Sequence, residues 1–131
     1  MENAGNIIIK LKKMDATVTR LGHIAALLEW DQETYMPEAA VKERASQLAM
    51  MVGLHHEKII DGEWDSLFSE IGYKGKDIPA GIDKVDAAFL RESWKRWKKK
   101  IKVPRVLVEN IARETSLSQA AWAGARKATC G

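Results

Sequence analysis

A chain of 131 residues suits one domain, and its 46% hydrophobic and 30% charged composition is ordinary for a soluble globular protein. Its single cysteine excludes an internal disulfide, and no apolar run approaches the roughly 20 residues that a membrane span needs. We therefore expect one domain over residues 1–131, cytoplasmic and without a membrane partner.

The net charge of +3 is unevenly distributed along the chain. Residues 1–90 hold 10 Lys/Arg and 15 Asp/Glu, a balance of −5, whereas residues 91–131 hold 11 and 3, a balance of +8. Such asymmetry indicates a basic surface that could meet a nucleic acid, a membrane or an acidic protein partner.

Apolar residues at helical spacing near the start of the chain predict a first helix over about residues 6–29. Its apolar stripe comprises Ile7, Leu11, Met14, Val18, Leu21, Ala25 and Leu28. The pattern breaks over 30–36, where Thr34 is expected to cap a second helix that has Pro37 in its first turn. That helix should end near Asp61-Gly62, and Gly53 inside it suggests a close packing contact.

Three further helices follow. A short one ends at Gly72, a loop covers 73–81, a fourth helix covers about 82–100, and a fifth begins at Pro104 and reaches about 128. Val108, Ile111 and Trp122 are predicted to point inward from the fifth. The predicted class is all-α, with about five helices, short connections and a bundle-like arrangement.

Two clusters of candidate ligands invite a metal interpretation. His55-His56-Glu57 lacks the four-residue histidine spacing of a zinc helix, since adjacent side chains diverge by about 100°. One partly buried and one solvated histidine is the favoured interpretation. The second cluster contains the acids Glu29, Asp31, Glu33 and Glu38, for which helix capping and solvation are favoured over cation binding.

The basic stretch over 91–105 is a candidate anion or nucleic-acid site. Its candidate anion-binding residues are Arg91, Lys95, Arg96, Lys98, Lys99 and Lys100. Interleaved aromatics are typical of single-strand binders. However, Trp94 and Trp97 share a stripe with Leu90 and Ile101, which favours core tryptophans, a solvated lysine face and no nucleic-acid partner.

The junction between the first two helices is read from its residues as structural: Trp30 buried, with Asp31 and Thr34 bonding to free N–H groups at a helix start. A series of short motifs follows in order along the chain: Trp30, Asp31, Gln32, Thr34, Met36 and Pro37, then Arg44, Gln47 and Leu48, then His56 and Glu57, then Lys102, Val103, Pro104, Leu107 and Val108, and finally Trp122, Ala125 and Arg126. In residues, order and spacing this series resembles the thermostable-type zinc metallocarboxypeptidases.

The resemblance covers about residues 8–127 and implies the amino-terminal helical layer of such an enzyme, which borders the substrate groove. The zinc motif of that family lies well downstream in its members, so no catalytic or metal-binding residue can be transferred to this chain. Zinc, or cobalt in its place, is implied for the full-length family, and none is expected in this chain. The chain is expected to be inactive alone.

Three functions remain open at this point. The first is an amino-terminal domain, fragment or truncated form of a metallocarboxypeptidase, serving as scaffold and groove wall. The second is a stand-alone helical interaction or oligomerisation module, and the third is a nucleic-acid binder. Apolar residues off the main stripes predict an oligomer, a dimer first of all, or contact with the missing catalytic part; they are Ile8, Leu27, Met50, Met51, Leu54 and Leu117.

Overall fold

The computed structural model describes residues 3–34 and 37–130, with side chains described through residue 126. It contains helices α1 (Ala4–Thr34), α2 (Val41–Ile59), α3 (Gly62–Ile71), α4 (Lys84–Lys100) and α5 (Arg105–Cys130), and a 3-10 turn at Glu38–Ala40. The described ranges contain no strand, so the all-α prediction is confirmed. None of the described helices is long and apolar enough to cross a membrane.

Helices α3 and α4 begin and end where the sequence supplies caps. The Asp61 carboxylate accepts a hydrogen bond from the Glu63 N–H at 2.8 Å, and Asp83 accepts one from the Asp86 N–H at 2.8 Å. Gly72 ends α3 in the left-handed conformation, with φ of 81°. Three lysines in the last turn of α4 complement its dipole.

Helix α1 is longer than predicted, because it continues through the expected break to Thr34. The Thr34 hydroxyl donates to the Trp30 carbonyl at 2.9 Å, so Thr34 belongs to α1 and the prediction that it caps the next helix is wrong. Pro37 precedes the 3-10 turn with φ of −66° and extended ψ. Met36 lies outside the described residues.

The chain forms two compact units, each built from segments distant in sequence. Unit 1 comprises Met1–Thr19 and Glu57–Val103, and unit 2 comprises Arg20–His56 and Pro104–Gly131. Unit 1 therefore holds the first half of α1 with α3 and α4, whereas unit 2 holds the second half of α1, most of α2, and α5. The single domain over 1–131 stays a prediction.

Unit 1 has an aromatic core. Trp64 and Phe68 are fully buried and stack with ring centroids 5.8 Å apart. Trp94 meets Phe68 and Tyr73 edge to face, at 5.1 and 5.5 Å, and Trp97 is 7% exposed. Rings in these arrangements contribute beyond the area they bury. The expectation that Trp94 and Trp97 serve the core is confirmed.

Unit 2 is packed through small residues. Ala45, Leu48 and Ala49 of α2 are buried, as is Ser116 of α5. Gly53 of α2 lies against Glu109 of α5, so closely that a Cβ at Gly53 would be 2.7 Å from Glu109 Cγ. This confirms the close contact expected at Gly53 and explains why a glycine is placed in mid-helix despite its poor propensity.

The predicted inward face of α5 is only partly right. Val108 is half-buried, but Ile111 is 57% exposed and Trp122 is 64% exposed, so the inward prediction for these two is wrong. The face of α5 that contacts the other helices of unit 2 instead carries Glu109 and Ser116. A pattern based on hydrophobicity assigns the apolar face inward, and it fails where a polar face makes the contacts.

We expect Gly53→Ala to lower the free energy of unfolding by about 1 kcal/mol. Alanine gains about 1 kcal/mol in helix propensity, but its methyl group displaces Glu109, at a larger overpacking cost of about 2 kcal/mol. The displacement also disturbs the 2.6 Å ion pair between Glu109 and Arg105. Urea unfolding measures the change, and Gly53→Ala in a Glu109→Ala background should stabilise, because the obstacle is gone. A stabilising Gly53→Ala in the native background would contradict the contact.

Candidate functional site

The motif residues at the end of α1 and the start of α2 form one hydrogen-bonded network in unit 2. Arg44 Nη1 donates to Asp31 Oδ2 at 2.7 Å and to the Leu28 carbonyl at 3.1 Å. Arg44 Nε donates to Gln47 Oε1 at 3.0 Å. The Arg44 side chain is 18% exposed and the Asp31 side chain 42%. The network joins α1 to α2 across the turn, so Asp31 is an ion-pair partner and the expectation that it caps a helix is wrong.

Gln32 makes a reciprocal pair with a residue of α5. Its Nε2 donates to the Ser116 carbonyl at 3.0 Å, and the Ser116 hydroxyl donates to Gln32 Oε1 at 2.7 Å. Both functional groups of the amide are thereby satisfied in a half-buried place, which fixes its orientation. Sequence reasoning missed Ser116, and no signal in one sequence identifies a partner 84 residues away.

Trp30, the first residue of the motif, does not enter the core. Its side chain is 54% exposed, so the prediction that it is buried is wrong. Asp31 and Gln32 point inward from this turn, since they contact Arg44 and Ser116. Because successive side chains of a helix are rotated by about 100°, Trp30 then points outward. Trp30 therefore presents part of its ring at the surface of unit 2.

A cleft of about 400 Å³ lies beside this network in unit 2. The end of α1, the 3-10 turn, the start of α2 and the second half of α5 form its walls. They contribute Gln32, Glu33, Thr34, Glu38, Val41, Gln119, Ala120, Trp122, Ala123 and Gly124. Sequence reasoning did not predict this cleft, although it had singled out Gln32, Thr34 and Trp122 of the motif and the acids Glu33 and Glu38.

The two adjacent histidines differ in burial. His56 is buried, and His55 is half-buried with its Nε2 3.3 Å from where a Cβ on Gly22 would lie. The expectation of one solvated histidine is therefore wrong, since neither side chain is fully exposed. Among the described residues no three His, Cys, Asp or Glu side chains are grouped to hold a metal ion.

The remaining motif residues lie on or beside α5 and α2. Lys102 and Val103 form the turn after α4, and Pro104 precedes α5 and accepts a hydrogen bond from the Val108 N–H at 3.3 Å. The Arg126 guanidinium lies 4.7 Å from the centre of the exposed Trp122 ring, a cation–π pair along α5. Glu57 is exposed on α2.

The basic residues of α4 are divided between packing and solvent. Arg96 Nη1 donates to Asp15 Oδ1 at 2.8 Å and its guanidinium lies 5.2 Å from the Trp64 ring centre, so Arg96 is part of the packing of unit 1. Lys98 Nζ lies 5.0 and 5.2 Å from the Trp94 and Trp97 rings. The exposed members of the stretch are Arg91, Lys95, Lys98, Lys99 and Lys100.

We expect the exposed basic residues of α4 to bind single-stranded oligonucleotide weakly, with a dissociation constant of about 10⁻⁴–10⁻⁶ M at physiological salt. The affinity should fall further as the salt concentration rises. The buried Trp97 and half-buried Trp94 are committed to the core and cannot stack with bases. Fluorescence anisotropy at several salt concentrations measures the affinity. A sub-micromolar dissociation constant that is the same in the Lys99→Gln variant would contradict a purely electrostatic contact.

Comparison with known proteins agrees with the motif order. The sequence profile of the carboxypeptidase Taq (M32) metallopeptidase family matches residues 10–129. The chain is 28% identical over 130 residues to thermostable carboxypeptidase 1 of Thermus thermophilus, a match that covers 95% of this chain and 24% of that protein. No solved structure matches the chain. The resemblance read from the motifs is confirmed, and the chain belongs to the carboxypeptidase Taq (M32) metallopeptidase family.

Proposed function

We propose that this chain is the amino-terminal helical segment of a metallocarboxypeptidase, acting as scaffold and groove wall and not catalytic by itself. The proposal is supported by the family match and by the 24% of the relative's length that the chain spans. The zinc that the family implies does not fit the described residues, because His55 and His56 diverge and no third ligand joins them. No step of peptide hydrolysis is therefore assigned to this chain.

The observation that carries the proposal is the apolar surface of unit 2. On α1, Ile24, Leu27 and Trp30 share one outward stripe and are 46%, 63% and 54% exposed. On α5, Leu107 and Ile111 share an outward stripe and are 48% and 57% exposed. Large side chains repeated along an exposed helix face are typical of a surface that another protein surface covers.

The off-stripe apolar residues are only partly exposed in the structure. Leu27 and Met50 are exposed, as the oligomer prediction requires, and Met51, Leu54 and Leu117 are half-buried. Ile8 is 3% exposed and belongs to the core of unit 1, so its assignment to a contact surface is wrong. The exposed stripes of α1 and α5 replace it as the basis of the proposal.

In the parent enzyme the catalytic part would cover these stripes, and in the isolated chain a second copy would do so. We expect light scattering coupled to size exclusion to show a dimer at micromolar concentration. Leu27→Gln combined with Trp30→Gln should shift it to a 14.7 kDa monomer. The matched control is Val85→Gln in unit 1, at a side chain that is 74% exposed but belongs to neither stripe. A monomer at every concentration in the native chain would reject self-association.

The absence of catalysis needs a separate test. We expect the isolated chain to release no carboxy-terminal amino acid from peptides in the presence of zinc or cobalt, and to bind neither ion stoichiometrically. Adding a separately expressed catalytic segment of a carboxypeptidase of this family should yield a complex, and the Leu27→Gln, Trp30→Gln pair should weaken it. Turnover by the chain alone would overturn the scaffold role. A stop codon directly after the codon of Gly131 would favour the stand-alone interaction module.

A further inference from the structure

The end of α1 carries negative charge that no basic residue of the helix offsets. Helix dipoles place partial negative charge at the carboxyl end, where a lysine or arginine is favourable. The last turn of α1 has no basic residue and contains Asp31 and Glu33. Asp31 is paired with Arg44 across the turn, but Glu33 forms no ion pair with a described side chain. Arg44 therefore offsets the charge of Asp31, whereas the charge of Glu33 is offset by no described basic side chain.

The same helix end forms one wall of the 400 Å³ cleft of unit 2. Glu38 lines the cleft from the 3-10 turn and is also without an ion-pair partner among the described side chains. Two acidic residues and the last turn of a long helix thus line one space.

The α5 side of the cleft contributes one aromatic ring. Trp122 lines the cleft from α5 and is 64% exposed, and Gln119 lies one turn before it. Arg126 of the same helix places its guanidinium 4.7 Å from the Trp122 ring centre, which shows that a face of this ring accepts a guanidinium. An indole and carboxylates around a cleft are the groups that recognise a cationic side chain.

We propose that this cleft binds an arginine or lysine side chain of a separate peptide, with Glu33 and Glu38 as the anionic partners and Trp122 as the aromatic wall. The proposal goes beyond the scaffold role, which requires no ligand in the cleft. It also assigns a role to Glu33 and Glu38, which take no part in the hydrogen bonds of the Asp31–Arg44 network. The charged end of the side chain would lie at the end of α1, and its methylene groups would lie along the indole.

The test uses two peptides of the same shape, acetyl-Gly-Arg-Gly-amide and its citrulline analogue, which lacks the charge. Titration followed by ¹H–¹⁵N correlation spectra should show the arginine peptide shifting the Trp122 indole and Gln32 side-chain amide signals. We expect the citrulline peptide to bind about tenfold more weakly, since two exposed carboxylate contacts and a cation–π contact together amount to about that ratio. Equal affinity for the two peptides would overturn the proposal.

The variants separate charge recognition from folding. Glu33→Gln combined with Glu38→Gln should weaken the arginine peptide about tenfold and leave the citrulline peptide unchanged. Glu29→Gln removes an exposed carboxylate of the same helix outside the cleft and should change neither. Undiminished arginine binding in the double variant would refute the site, and so would signal changes confined to Trp94 and Trp97.

A second copy of the chain is the alternative occupant, because its α4 carries exposed lysines. If the arginine peptide dissociates an oligomer as it binds, the cleft belongs to the contact between copies and the assignment to a separate peptide is wrong. A dimer that persists with the peptide bound supports the assignment. Failure of peptide binding leaves the scaffold role intact, because that role depends on the apolar stripes.

Discussion

Trp64→Ala is expected to lower the free energy of unfolding by about 4 kcal/mol, a large share of the roughly 5–15 kcal/mol that stabilises a typical domain. The side chain is fully buried in unit 1 and stacks on Phe68. Its Nε1 donates to the Lys58 carbonyl at 2.8 Å, so the truncation also removes this part-buried hydrogen bond. The Arg96 guanidinium loses the ring beside it as well.

Urea unfolding followed by circular dichroism at 222 nm measures this loss. All variants are compared at one protein concentration, because self-association would make stability depend on concentration. Trp122→Ala is the matched control, because it makes the same chemical change at a ring that is 64% exposed, and we expect less than about 1 kcal/mol there. Trp64→Phe should lie between the two, at about 2 kcal/mol, because it keeps a ring and loses the donor. Equal losses for Trp64→Ala and Trp122→Ala would contradict the assigned core.

Gly75→Ala is expected to cost about 3 kcal/mol, unusually much for adding one methyl group in a loop. Gly75 has φ of 92°, where a side chain costs roughly 1–2 kcal/mol. A Cβ there would also lie 2.5 Å from Trp94 Nε1 and 3.0 Å from Trp94 Cε2. The Trp94 ring cannot move freely, because it packs edge to face on Phe68 and Tyr73, so overpacking adds another 1–3 kcal/mol or so.

Gly81 of the same loop separates the two causes. Its φ is 84°, and nothing lies within 4 Å of the Cβ that would be added, so Gly81→Ala should cost only the backbone term of about 1 kcal/mol. The difference between the two variants then measures the close approach to Trp94. If the two variants lose the same stability, the loop does not pack on Trp94 as described.

The apolar spacing and end signals of the sequence determined the helices of this protein and the core of unit 1. Ile7, Leu11 and Val18 repeat at helical spacing and are buried, and Asp61 and Gly72 bound α3 through cap chemistry that acts within a few residues. Trp94 and Trp97 follow the stripe of Leu90, which was enough to place them in the core against the nucleic-acid interpretation. These features are local, so one sequence is sufficient to predict them.

The ordered residues of the family motif, rather than any periodicity, indicated the family, which the profile match then confirmed. The motif did not reveal what its side chains contact. The residues of the junction predict that Asp31 caps a helix, whereas Asp31 pairs with Arg44. They also predict a buried Trp30, whereas the Trp30 side chain is exposed. Short polar side chains can bond locally or across helices, and only the packing of α1 against α2 decides between the two.

The tertiary structure alone decided which face of α5 turns inward and where the cleft lies. Glu109 faces inward because Gly53 leaves room for it, and Ser116 faces inward because Gln32 meets it from α1. Trp122 is consequently left at the cleft and outside the core. Hydrophobicity identifies the apolar stripe of a helix, but it does not identify the surface that covers this stripe, because that depends on which elements pack beside the helix.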